Sequence, residues 1–285
     1  MGKTAIAWTN ERWNPLRGCT VYTKECTNCY AMAKAVEPSL GGPGKAYEGL
    51  TKVVNGEPVW NGTIRLVPEK LKDPLLRQRK PARVFVNSMS DLFHEDVPEE
   101  YIHEVFAVMA KTKQHTFQVL TKRAERLLEL SDRVNWPENV WMGTSIGCQE
   151  NAYKAELLAK TGAKVKWVSA EPLIDSLKMN FDGIHWVVIG GESGQNARPM
   201  DLDCARSLKA DCEAVGVAVF MKQLGSVWAK DFKGDKKGAI PGNWAPDLRV
   251  REYPEALRNH GGEKGALEAE QNVLFGDFDS PTRSG

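Results

Sequence analysis

The sequence predicts an α/β fold, a full or partial (β/α) barrel of parallel strands. Three observations carry that expectation. Six short runs rich in β-branched and aromatic residues recur between residues 83 and 222. Most are separated by stretches with helical apolar spacing. The runs are apolar rather than strictly alternating, as in a parallel sheet covered by helices. A chain of 285 residues is long enough for one such barrel. No Gly-x-Gly-x-x-Gly follows any run, so a dinucleotide-binding fold has no support.

The elements follow in order. A first strand is expected near residues 6–8, leading into a cysteine-bearing loop. Residues 38–66 break the rhythm. There Asn55-Gly56 and Asn61-Gly62 are turn signals around Val59-Trp60, so an inserted loop or small hairpin, a candidate lid, is expected. A strand at 83–88 precedes a helix at 98–113. Pro98 suits the first helical position, and Glu99 and Glu100 suit the helix dipole. Ile102, Val105, Phe106 and Met109 form its apolar stripe. Next come a strand at 116–121 and a helix at 124–130, then a strand at 140–145 and a helix at about 150–160. Strands at 164–169 and 184–190, a helix at 201–214 and a strand at 217–222 complete the pattern. From Ser226 the chain turns polar and glycine-rich, with one strand-like piece at 247–251. The expected organisation is a barrel over 1–225, a polar extension over 226–260 and a loosely packed tail over 261–285.

Bulk composition excludes several classes. With 42% hydrophobic and 26% charged residues the chain is ordinary globular material. A net charge of +1 creates no global field that announces a nucleic-acid partner. Six cysteines are too sparse for a disulfide scaffold. The N-terminus lacks the apolar core of a signal peptide, and no apolar run approaches the ~18–20 residues of a membrane span. A soluble cytoplasmic protein is expected. Local basic clusters occur at Arg77, Arg79, Lys80 and Arg83, and at Lys111, Lys113, Lys122, Arg123 and Arg126. With nine tryptophans they admit a nucleic-acid substrate. A small metabolite or a peptide is the rival.

In barrels, chemistry sits at the C-terminal ends of the strands, and here those ends are polar. Ser88, Ser90 and Asp91 follow the strand at 83–88. Thr121 and Lys122 end the next, and Lys122 suits a carboxylate or phosphate. Ser145 and Glu171 end the following two. Gly190-Gly191-Glu192 ends another, where two glycines let backbone approach a ligand and a carboxylate stands just beyond. Each alone reads as a cap or a turn. Their convergence on one rim favours an active site.

The sharpest feature is Cys19, Cys26 and Cys29, spaced C-x6-C-x2-C. Three thiolates leave a metal site unfinished. The readings are a structural zinc completed by His94, His103, His115, His185 or Cys148, a three-cysteine [4Fe–4S] cluster, or unrelated thiols. No second C-x2-C or H-x3-H partner is present, which weighs against zinc. Cys204 and Cys212 lie eight apart on one helical face and read as core residues.

The three-cysteine loop after a first strand, Tyr30 beside the last cysteine and the α/β barrel that follows resemble the radical S-adenosylmethionine superfamily. A closer resemblance, up to about Pro254, is to a phage and bacterial family. Its blocks are Cys26-Thr27-Asn28-Cys29-Tyr30-Ala31, Phe85-Val86-Asn87-Ser88-Met89-Ser90-Asp91-Leu92-Phe93 and Gly190-Gly191-Glu192-Ser193-Gly194. Members are often described as partners of a three-Cys-motif protein. Spore photoproduct lyase, with a DNA substrate, is a more distant look-alike. The usual superfamily loop is C-x3-C-x2-C, so Cys19 is the least conventional ligand here. The resemblance implies that Cys19, Cys26 and Cys29 hold three irons and that the fourth binds S-adenosylmethionine. Tyr30, Ser88, Ser90, Asp91, Thr121, Lys122, Ser145, Glu171, Gly190, Gly191 and Glu192 would line the cofactor. One electron from a flavodoxin- or ferredoxin-like donor would cleave the sulfur–C5′ bond, and the resulting 5′-deoxyadenosyl radical would abstract hydrogen from a substrate. Cys148 would return a hydrogen atom to that substrate. The non-catalytic alternative is a zinc-stabilised nucleic-acid-binding module.

Overall fold

The computed structural model describes residues 1–76, 80–232 and 235–255. In chain order the strands are β1 (Gly2–Lys3), β2 (Glu11–Trp13), β3 (Leu16–Arg17), β4 (Thr51–Val54), β5 (Glu57–Trp60), β6 (Arg65–Leu66), β7 (Arg83–Val86), β8 (Thr116–Thr121), β9 (Val140–Ser145), β10 (Val165–Ala170), β11 (Trp186–Gly190) and β12 (Ala218–Gln223). The α-helices are α1 (Tyr30–Ala35), α2 (Pro38–Gly41), α3 (Asp73–Leu76), α4 (Glu99–Lys111), α5 (Ala124–Leu130), α6 (Lys154–Ala159) and α7 (Leu202–Ala214).

Eight strands form one sheet in the order β1-β2-β7-β8-β9-β10-β11-β12. β1 is antiparallel to β2, and every other neighbouring pair is parallel. This is the expected α/β architecture with a mainly parallel sheet. The sheet order begins at β1 and ends at β12 without closing among the described residues.

The strands alternate between two cores. Val84, Val86, Phe117, Val119, Val140, Met142, Val187 and Ile189 pack against α4, α5 and α7 in one. The opposite face carries Trp8, Phe85, Trp141, Trp167, Trp186, Val188, Phe220 and Tyr253. Trp8 meets Phe85 of β7 at 4.8 Å and Trp186 of β11 at 6.2 Å. On a flat sheet those strands would stand roughly 19 Å apart, at ~4.8 Å per neighbour. One indole reaches both because the sheet curls around it. Gly143 makes the curl fit, since a Cβ there would lie 2.4 Å from the Trp167 ring.

The strand expected at 6–8 is absent. That segment turns instead, with Thr9 N–H bonded to Ile6 O, and drops Trp8 into the concave face. Thr9 and Gln118 fix it there through Thr9 Oγ1 to Arg83 O at 2.9 Å and Gln118 Nε2 to Trp8 O at 3.2 Å. β2 supplies the first parallel strand. Pro98 is the N-cap of α4 rather than its first residue. The helix expected at 150–160 is a 3₁₀ turn, Gln149–Asn151, followed by α6. The piece at 247–251 is a 3₁₀ turn, Pro246–Leu248, with a single bridge from Arg251 to Phe220. The extension is less separate than its polarity implies: Trp244 and Leu248 enter the helix-side core, and Tyr253 the concave one. The tail expected at 261–285 lies outside the described residues. No helix among the described residues is long and apolar enough to cross a membrane.

The insertion contains the expected hairpin. Val54 pairs with Glu57 across Asn55-Gly56, and both turn residues have positive φ, 51° and 81°. That is what a two-residue primed turn requires. Trp60 of β5 packs with Tyr47, Leu50 and the α1 residues Ala31, Met32 and Ala35 in a third core, against which Cys19 and Cys29 rest.

Trp8→Ala should destabilise the protein by about 3–5 kcal/mol in urea unfolding. An unchanged midpoint would show that the concave aromatic cluster does not hold the curl.

Candidate functional site

Parallel strands bring their C-terminal ends to one rim, and the cysteine loop crosses that rim. It leaves the sheet at Gly18, which bridges to Ser90. Gly18 has φ 88°, and a Cβ there would lie 2.0 Å from Thr63 O, so no other residue fits. Glu25 points back under the loop and is 3% exposed. It accepts from the Gly147 N–H and from Asn151 Nδ2, each at 2.9 Å, beyond the end of β9. Burial pushes its pKa up, but hydrogen bonds from Thr23, Gly147 and Asn151 outweigh this and hold it below the ordinary carboxylate value. Asn28 donates to Glu192 Oε2 at 2.9 Å and to Asn196 O at 2.8 Å, beyond β11. Thr20 bonds His94 at 3.2 Å and accepts from Arg123. The Tyr30 hydroxyl donates to Ser88 O. The loop is therefore tied to the ends of four strands.

Several sequence-predicted residues serve this scaffold. Asp91 accepts from Thr121 Oγ1 at 2.7 Å, Phe93 N and Lys122 N at 3.0 Å and Arg123 Nη1 at 3.1 Å. Its oxygens are saturated by protein donors. Ser88 donates to Asn14 Oδ1 from both its backbone and its hydroxyl, and Ser90 Oγ donates to Leu16 O. Glu192 is clamped by Arg198, at 2.6 Å to Nη2 and 3.0 Å to Nε. Gly191 fits closely against strand β12's exit, where a Cβ would lie 2.1 Å from Leu224 O.

A second group of predicted residues stands at the strand ends on the concave side. Tyr30 keeps 45% of its surface accessible, yet surrounding protein and the nearby Cys29 push its phenol pKa up. Burial, then Asp91, pushes the Cys19 thiol up to about 12, and burial raises Cys29. Cys19, Cys26 and Cys29 lie within electrostatic reach of one another and of Lys122. Burial pulls the Lys122 ammonium down, but Cys26, Cys29, Asp91 and Cys19 outweigh it and raise its pKa. Lys122 Nζ donates to Ser145 Oγ at 3.1 Å. Farther round, Ser169 donates to Glu171 Oε2 at 3.3 Å, and Lys222 Nζ stands 2.9 Å from Glu171 Oε1. Gly190 faces that carboxylate, because a Cβ there would lie 2.5 Å from Glu171 Oε1.

Asn87 ends β7 with φ 59° and is 3% exposed. Neither its Oδ1 nor its Nδ2 has a hydrogen-bond partner among the described residues. A buried amide left so costs about 1–3 kcal/mol, which a polar ligand would offset. Among the described residues no group of three His, Cys, Asp or Glu side chains is arranged to hold a metal ion as it stands. Of the candidate fourth ligands, His94 bonds the cysteine loop. His103 sits on the exposed side of α4, and His185 bonds Lys166 N near the opposite end of the sheet.

Cys148 is placed apart from Lys122 and Ser145. Its Sγ is 3.7 Å from Glu25 Oε1 and 3.3 Å from Asn151 Nδ2, buried beneath the loop. The basic clusters disperse as well. Arg83 is buried over the Tyr253 ring, Arg123 is buried against Asp91 and Glu95, and Arg126 donates to Val97 O. Arg77 and Arg79 lie outside the described residues. The large open cleft, about 1190 Å³, lies at the other end of the sheet among Trp141, His185, Val217 and Tyr253 and holds none of the loop's neighbours.

Sequence reasoning missed Glu25, Asn28, Asn87, Asn151 and Arg198. Glu25 and Asn28 resemble any polar loop residue until their distant partners are known. Asn87 carried a usable signal, since asparagine tolerates the left-handed region where a strand stops.

The family model described as a protein of unknown function, DUF5131, matches residues 3–256. The chain belongs to that family. No curated protein and no solved structure gives a significant match.

Glu25→Gln should cost about 1–3 kcal/mol at pH 7. The folded-state pKa of Glu25 lies below its ordinary value of 4.5, so its contribution is present above that value and is lost as pH falls through the depressed one. The gap between wild type and variant in urea unfolding should therefore close in acid. A gap that stayed constant from neutral pH into acid would remove the role assigned to the ionised carboxylate.

Proposed function

We propose that this DUF5131 protein is a radical S-adenosylmethionine enzyme in which Cys19, Cys26 and Cys29 hold a [4Fe–4S] cluster. One observation supports the reading. The loop that bears Cys19, Cys26 and Cys29 is anchored across the C-terminal ends of the parallel strands, and Cys19 and Cys29 rest against one core there. The donor set fits such a group, because thiolates are its protein ligands and three of them leave one iron open. When bound, the cluster supplies one electron to cleave the sulfur–C5′ bond of S-adenosylmethionine, so that hydrogen is abstracted from a substrate.

The chain's own residues bind, orient and shield. Lys122 offsets the negative charge that thiolates bring to a buried site. Ser145 holds the Lys122 ammonium in place. Asn87 offers a donor and an acceptor to an incoming polar group. Glu25 and Glu192 fix the loop that carries the three cysteines. Trp167 and the rest of the aromatic cluster pack against the same concave face of the sheet. The curled, open sheet supports the partial-barrel form of the fold. Six free cysteines suit a reducing cytoplasm, where a flavodoxin- or ferredoxin-like donor would be available.

Anaerobically purified protein should be brown, absorb at roughly 400 nm and carry about four irons per chain. Dithionite with S-adenosylmethionine should yield 5′-deoxyadenosine. Cys26→Ala should abolish both the iron and the product. A colourless protein holding one zinc would overturn the reading in favour of the zinc-stabilised nucleic-acid-binding module.

A further inference from the structure

The described residues end in the large cleft at the N-terminal ends of the strands. After the 3₁₀ turn Pro246–Leu248, residues 250–252 run along the free edge of β12. Met221 N donates to Val250 O at 2.8 Å, Glu252 N donates to Val219 O at 2.8 Å, and Arg251 bridges antiparallel to Phe220. An antiparallel neighbour of β12 travels toward that strand's beginning, away from the cysteine loop. Tyr253 then turns inward. Its ring stacks on Trp186 with centroids 5.5 Å apart, and the Arg83 guanidinium stands over it at 4.8 Å. Trp186 Nε1 donates to Glu252 O at 2.9 Å. These contacts fix where the chain goes next. Pro254 and Glu255, the last described residues, both line the cleft.

The cleft measures about 1190 Å³, and its walls include Trp141, Val165, Phe181, Val215, Val217 and Tyr253. Trp141, Val165 and Tyr253 belong to the concave aromatic core, so the cleft is the lower mouth of the curled sheet. Val215 is 59% exposed, and covering apolar surface of this kind gains about 25 cal/mol per Å². The sequence continues from this mouth through residues 256–285. That stretch is mostly polar. Its single run of three large apolar residues is Val273-Leu274-Phe275, with Phe278 just beyond. Residues 256–272, which lie between, reach up to about 60 Å when extended, more than enough to return the run to the cleft. The family match ends at residue 256, so a cover made by this run is an addition to the family domain.

We propose that Val273-Leu274-Phe275 and Phe278 fold back into the cleft and plug the lower mouth of the sheet. This occupant is favoured over a separate partner because it is tethered at the cleft wall. A tethered segment meets its site at an effective concentration of roughly millimolar order and avoids most of the translational cost of association. The plug stands at the opposite end of the sheet from the cysteines and does not depend on the proposed function.

The test uses the full chain with p-benzoylphenylalanine in place of Phe275. Irradiation should crosslink position 275 to residues 138–141, 179–185 or 213–218, which mass spectrometry of the digest identifies. The yield within one chain should not change with protein concentration. Leu274→Asp with Phe275→Asp should speed amide exchange over residues 213–218 about tenfold, because the cover is lost. Leu267→Asp, outside the plug, should leave that exchange unchanged. Every substitution lies beyond residue 255, so the sheet and its cores keep their sequence. Crosslinks between two chains would assign the cleft to a second copy and overturn the plug. Crosslinks outside the cleft, or none, would overturn it too, as would equal exchange in the wild type and the double variant or an equal gain in the Leu267 variant.

Discussion

Three buried carboxylates, Glu25 and Glu192 directly and Asp91 through Arg123 and Thr20, hold the cysteine loop against the ends of the strands, and the candidate site depends on them. Glu25 reaches beyond β9, Asp91 reaches β8 and Arg123, and Glu192 reaches Asn28 and Arg198. Each accepts several hydrogen bonds, which is the condition for keeping a charge inside protein. A loop of this length has no regular structure to set its course beyond one 3₁₀ turn. Without the anchors, the ordering entropy of each loop residue, about 1–2 kcal/mol, would be opposed mainly by the Gly18–Ser90 bridge and the Thr20 and Tyr30 hydrogen bonds. The carboxylates thus do for the loop what ladders do for the strands.

The sheet was legible because its signal is repeated and local. Thr116–Thr121 and Val140–Ser145 fall where the apolar runs end, and Asp201 caps α7 by accepting from Asp203 N. Local reading misplaced the first strand because Trp8 belongs to a tertiary plug: its ring is buried by β7, β10 and β11 together. Residues 6–8 have strand-like composition for a reason unrelated to a strand. The curl was equally hidden, since it shows only when rings from strands far apart in the sheet meet one indole.

The site was half legible for a related reason. Strand-end polarity locates the rim but does not reveal which residues there are already engaged. Ser88, Ser90, Asp91 and Glu192 look like ligand groups in sequence and are engaged by protein partners. Lys122, Tyr30 and Glu171 are engaged as well, by Ser145, by Ser88 O and by Lys222. Asn87 differs, because its buried amide finds no hydrogen-bond partner among the described residues, which the local sequence does not reveal.

The two ends of the concave face are built for opposite purposes. At the lower end, indoles meet edge-on or tilted, with Gly143 admitting Trp167. At the upper end, Gly190 admits Glu171, and the neighbouring groups are hydroxyls, thiols and ammonium groups. Both glycines remove a side chain so that a larger one from the adjacent strand can lean inward. Below, the result is packing; above, it is a charged wall. A fold stabilised only by burial would have continued the aromatic rows upward, since each buried ring contributes more than a half-exposed ion pair. Ending those rows in Lys122, Ser145, Glu171 and Lys222 forgoes that stabilisation.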